Sequence, residues 1–157
     1  DTRYHALSFQ EHGANGTADL AARSGISQWS SGVNIAGNTN VWGFALDMDN
    51  KAFYVSINGT YVNSGNPASG ASKTGDLVTQ IESAYTTNFF NGQEIFPFAA
   101  DTGASSNTTL LFNFGNGFFD TTDVSSVQNP SSGDTAAKFE YTPPTGFQPL
   151  TTKGLNA

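Results

Sequence analysis

The sequence predicts an all-β protein of short antiparallel strands arranged in two layers, with one short helix near residues 76–85. Trp42, Phe44, Leu46 and Met48 alternate with Gly43, Ala45 and Asp47, and Phe53, Val55 and Ile57 repeat the pattern. A period of two puts these large apolar groups on one sheet face. Aromatic residues make up 13% of the 157 residues, with 13 Phe and 17 Gly, and Ser, Thr and Asn fill much of the rest, a balance that suits many short strands between polar turns. Asp49-Asn50 and Asn58-Gly59 offer two tight turns, the second being the dipeptide of a type I′ hairpin, so Trp42 to Asn63 reads as a three-stranded meander. A meander needs a second layer over its apolar face. The length suits one domain over residues 1–157 with a substantial core.

In chain order, residues 3–9 predict a strand, with Tyr4, Phe9 and either Ala6 or Leu7 available for burial. Residues 10–40 are rich in Gly, Asn, Ser and Ala and read as long loops, with one short strand around Ile26 to Trp29. After the meander, 64–75 is turn-rich and contains Pro67. Asp76 then stands as an N-cap before Leu77, Val78, Ile81 and Tyr85 at helical spacing. Residues 95–100 predict a strand that Pro97 assigns to an edge or an irregular ladder. Residues 107–114 predict a second strong strand, with Leu110, Phe112 and Phe114 on one face. Residues 120–135 read as an exposed polar excursion, 138–141 as a returning strand, and Pro143-Pro144-Thr145-Gly146-Phe147 as a rigid turn that brings Phe147 and Leu150 back to the body.

The formal net charge is −7, with only six Lys plus Arg and no basic cluster. Phosphate backbones and anionic membrane surfaces are therefore not expected partners, because binding to either rests on Lys and Arg. The chain has no cysteine, which excludes disulfides, thiolate metal sites and cysteine nucleophiles.

The segment Ala45-Leu46-Asp47-Met48-Asp49-Asn50, followed by Phe53-Tyr54-Val55 and Asn58-Gly59, resembles the central motif of SPRY domains. Phe96-Pro97, Phe112-Asn113-Phe114-Gly115 and the run from Tyr141 to Leu150 match later blocks of that family in the same order, covering roughly 41–150. The resemblance implies a bent, concanavalin-like antiparallel sandwich and a role in recognition without chemistry. The closing block is most similar to SPRY-like domains in virion proteins of tailed bacteriophages. The family's opening strand is not visible before Tyr4, Ile57 stands where Lys is usual, and 76–93 reads as an insertion. A chain beginning at Asp1 without that strand is expected to be a processed product or a piece of a longer polypeptide.

Asp47, Asp49 and Asn50 lack the Gly and closing Glu of a calcium loop and are expected to form a turn. His5 and His12 lack further ligands in the pattern, so no metal and no cofactor are expected. Glu11, Glu82, Glu94 and Glu140 are scattered and do not form the facing carboxylate pair of a glycoside hydrolase. The better candidates for ligand or partner binding are aromatic residues that the alternation does not assign to the core: Trp29 in Ser-Gln-Trp-Ser-Ser, Tyr61 after the hairpin, and Tyr85, Phe89 and Phe90 around the insertion. The expected function is a non-enzymatic module of a virion, binding other virion proteins, copies of itself or a host-surface ligand. The alternatives are a lectin-like domain with Trp29 and Tyr61 as stacking platform and a glycoside hydrolase on the same sandwich.

Overall fold

A computed structural model describes residues 8–12, 17–21, 29–34, 40–81, 90–92, 94–97 and 109–150. It forms two compact units, Asp1–Gln93 and Glu94–Ala157. Among the described residues the named strands are all antiparallel and the only helices are short 3₁₀ turns, consistent with the all-β class.

The first unit holds two three-stranded sheets. β1 (Ser8–His12), β2 (Thr17–Ala21) and β3 (Trp29–Asn34) form one, in the order β1-β2-β3, with a register irregularity between Thr17 and Asp19. Within the stretch 10–40, expected as long loops, the described residues 10–12, 17–21 and 29–34 are strands. Its strands escape a reading based on apolar alternation because a ladder is made by backbone N–H and C=O groups, which every residue here supplies. The expected strand at 3–9 begins only at Ser8 among the described residues.

β4 (Trp42–Asp47), β5 (Ala52–Ile57) and β6 (Thr60–Tyr61) form the expected meander. At the second turn Asn58 has φ +50° and Gly59 φ +81°, the two left-handed residues that a type I′ turn requires. The first turn differs from expectation. Asp47 pairs with Ala52, so the connection has four residues, and the left-handed position is Lys51 at φ +55°. Asp47 holds it closed: Oδ1 accepts from the Asn50 N–H at 2.9 Å and Oδ2 from Asn50 Nδ2 at 2.8 Å. Burial pushes the Asp47 carboxyl up. The hydrogen bonds from Asn50 and the Asp49 backbone, with the Lys73 charge, outweigh that and hold it below its ordinary value. The turn-forming role expected of these residues is the one found.

Which face is buried also differs. The ladder puts Ala45 and Tyr54, then Asp47 and Ala52, on one face, and Phe44 with Val55, then Leu46 with Phe53, on the other. The first face carries the fully covered residues Ala52, Tyr54 and Ser56. On the second, Val55 and Ile57 are buried while Phe44 is 60% exposed. The cover for the first face comes from the chain that follows β6. A Cβ at Gly65 would lie 3.3 Å from the Tyr54 ring, and the Leu77 N–H donates to the Phe53 carbonyl at 2.8 Å, prolonging the free edge of β5.

The expected helix at 76–85 is a single 3₁₀ turn, Val78–Gln80, as far as Ile81, whose extended backbone ends it; 82–89 lie outside the described residues. The N-cap residue is Leu77, and Asp76, one residue earlier, does the capping chemistry expected of it: its Oδ1 accepts from Val78 N at 2.8 Å and Thr79 N at 3.2 Å. Leu77, Val78 and Ile81 are all buried.

Tyr54 is 1% exposed, and its hydroxyl has no hydrogen-bond partner among the described residues. A buried, unbonded hydroxyl costs about 1–3 kcal/mol. Tyr54→Phe is therefore expected to raise stability by about 1 kcal/mol, or roughly 2–4 °C in Tm. A lower Tm for Tyr54→Phe in a thermal melt would show that the hydroxyl is bonded in the folded protein.

The second unit is held by backbone bonds, among them the reciprocal pair between Gln128 and Phe139, and by side chains bonded to backbone. β7 (Phe118–Phe119) and β8 (Thr122–Asp123) make a small hairpin turning at Asp120, φ +57°. Asn113 Nδ2 donates to the Lys138 carbonyl at 3.0 Å, and Asn129 Nδ2 to that of Ala137 at 2.9 Å. Val124, Pro130 and Ala137 are buried, so the excursion expected over 120–135 contributes to the packing of this unit. The expected strand at 138–141 is reduced to isolated bridges at Lys138 and Phe139. Residues 109–114 form no ladder; Phe112 and Phe114 stack at 5.9 Å but are 50% and 42% exposed. Alternation marks where a ladder would place side chains, and it does not supply the neighbouring strand. Likewise 94–97 form no strand, and 98–100 lie outside the described residues. The Pro-Pro-Thr-Gly-Phe turn forms, with Phe147 N bonded to the Pro144 carbonyl at 3.1 Å and Gly146 at φ +88°. Ser132 Oγ ties down the Phe147 carbonyl at 3.0 Å, but Leu150 remains 59% exposed and does not return to the body.

Candidate functional site

Two surface features of the first unit could engage another molecule. The first is a row of rings on the β4–β5 sheet. Phe44 and Phe53 stack with centroids 6.2 Å apart and planes within 9°, and Trp42 leans on Phe44 at 6.4 Å and 51°. The row arises because position 44 alternates onto the same face as 42 and pairs next to Phe53. Met48, just beyond, is also exposed.

The second is a cleft of about 280 Å³ between β3 and the β5–β6 hairpin. Ile57 and Val62, both buried, give it an apolar floor together with Val33 of β3. Asn40, Asn58, Thr60 and Tyr61 are its polar lining. The type I′ turn fixes Asn58, and its amide is held twice more: Oδ1 accepts from Val41 N at 2.9 Å, and Nδ2 donates to Asn40 Oδ1 at 2.9 Å. Tyr61 is half-buried, and burial pushes its hydroxyl up to about 12, so it remains a proton donor throughout the neutral range.

Of the expected binding rings, Tyr61 stands in this cleft. Trp29 opens β3, the strand that carries Val33, and pairs with Leu20. Phe90 is a correction: it is 8% exposed and buried, as large apolar rings usually are, and so is not presented to a ligand or partner. Tyr85 and Phe89 lie outside the described residues. Alternation assigned Phe44 to the core, and nothing in it signals that one strand of a face is left open.

Of the four glutamates, Glu11 is in β1, Glu82 lies outside the described residues and Glu94 is exposed. Glu140 Oε2 accepts from Ser125 N at 2.6 Å, and its Oε1 accepts from Ser125 Oγ. These bonds from Ser125 hold its carboxyl below the ordinary carboxylate value. Among the described residues no three His, Asp or Glu side chains cluster as a metal site, and no helix is long and apolar enough to cross a membrane. No protein-family model, curated protein or solved structure matches the chain.

Proposed function

We propose that this protein is a non-enzymatic recognition and assembly module, a concanavalin-like sandwich of the SPRY kind carried on a phage virion. It contacts another virion protein, or further copies of itself, through the Trp42–Phe44–Phe53 face. The sandwich reading is supported by the ordered blocks between residues 41 and 150 and by the antiparallel hairpins of β4–β6 and β7–β8.

The observation that carries the binding role is Phe44. A ring 60% exposed between Trp42, tilted against it, and Phe53, stacked on it, leaves apolar area in water that a partner surface would remove, at about 25 cal/mol per Å². Isolated exposed apolar residues are ordinary, whereas three rings in contact on one face, with Phe44 open to solvent, suit a contact surface.

Purified particles are expected to contain the protein at fixed stoichiometry, and Phe44→Ser to reduce incorporation at least about tenfold. Because Phe44 is exposed, Tm should change little in the same variant, by an amount equivalent to about 0.5 kcal/mol or less. Wild-type incorporation of a folded Phe44→Ser protein would remove this face from assembly.

A further inference from the structure

The cleft beside the aromatic face carries an inference of its own, independent of assembly. No charged side chain lines it among the described residues. A carboxylate or phosphate ligand would find no cation there, and the acidic chain, at −7, repels one in addition. A cationic ligand would find no carboxylate. The volume, about 280 Å³, sits just below the roughly 300–1,000 Å³ of pockets that hold drug-sized molecules, a size that suits one ring.

The lining is amphipathic in the way a pyranose is. The floor of Val33, Ile57 and Val62 and the Tyr61 ring suit a C–H face, and the Asn58 amide with the Thr60 and Tyr61 hydroxyls suit ring hydroxyls. Asn58 is preorganised. Its bonds to Val41 and Asn40 use one Oδ1 lone pair and one Nδ2 hydrogen, leaving one of each at a fixed position, so little ordering cost falls on binding.

We propose that this cleft binds a single neutral sugar ring, stacked on Tyr61 and hydrogen-bonded to Asn58 and Thr60. A flat heteroaromatic base would use the apolar lining as well, but it offers fewer hydroxyl partners to a rim composed of amides and hydroxyls.

The test is a titration of the isotopically labelled 157-residue chain with glucose, galactose, mannose and N-acetylglucosamine, following backbone amide shifts. Glucuronate serves as the charged counterpart of glucose. Saturable shifts confined to Val33, Asn40 and residues 57–62 are expected for at least one neutral sugar, with Kd on the order of 1 mM. Tyr61→Ala is expected to weaken binding roughly tenfold. Thr60→Val, an exposed position at which the fold is kept, is expected to weaken it severalfold. The proposal is overturned if no neutral sugar moves these amides at concentrations about tenfold above that Kd. It is overturned equally if glucuronate binds as tightly as the best-binding neutral sugar, or if folded Thr60→Val and Tyr61→Ala both bind like the wild type. Phe44→Ser should leave the titration unchanged, so loss of assembly and loss of sugar binding are read separately.

Discussion

Gly75→Ala is expected to destabilise the protein by about 3 kcal/mol or more, a fall in Tm of roughly 10 °C. Gly75 has φ +66°, and left-handed backbone costs a residue with a Cβ about 1–2 kcal/mol. The larger effect is steric. A Cβ at 75 would meet the Asn63 carbonyl oxygen and would lie 2.7 Å from both the N and Cα of Gly65. All three atoms are backbone, and they belong to the segment that covers Tyr54, so relief requires moving that cover. Gly92 supplies the control, with φ +68° and nothing among the described residues within 4 Å of its Cβ. Gly92→Ala should show the backbone cost alone. Equal losses in the two variants, measured by urea unfolding, would mean that Gly65 and Gly75 do not approach each other.

Leu77→Ala is expected to cost about 3 kcal/mol, within the 2–5 kcal/mol typical of a fully buried leucine truncated to alanine. Leu77 is 0% exposed, and its backbone fastens the 3₁₀ segment to β5 through the 2.8 Å bond to Phe53. The substitution keeps that N–H, so the loss reports packing alone. The denaturation midpoint should fall with little change in slope, since the surface exposed on unfolding is nearly the same. A loss under about 1 kcal/mol would exclude Leu77 from the core.

These two positions sit where sequence reading and structure part company. Leu77 was legible as apolar and Asp76 as its cap, because a side chain accepting from the N–H groups two and three residues on is a local event. Gly75 carried no such sign, since its close approach to residues 63 and 65 is made by the return of the chain. The candidate site divides in the same way. Tyr61 was visible as a ring following a hairpin turn, whereas the cleft exists only because β3, from a stretch that reads as loop, supplies Val33 beside it.

The sequence by itself determined the class, all-β, and the points at which the chain turns: left-handed Asn58 and Gly59, the Asp76 cap, and Gly146 in the Pro-Pro-Thr-Gly-Phe turn. Each depends on the φ, ψ and side-chain chemistry of a few neighbouring residues. Tertiary structure alone decided which face of the β4–β5 ladder is sealed, that Phe44 is open and Phe90 covered, and that 109–114 alternates without forming a ladder. Burial belongs to a pair of surfaces, and for Tyr54 the second surface is contributed by Gly65, eleven residues further along the chain.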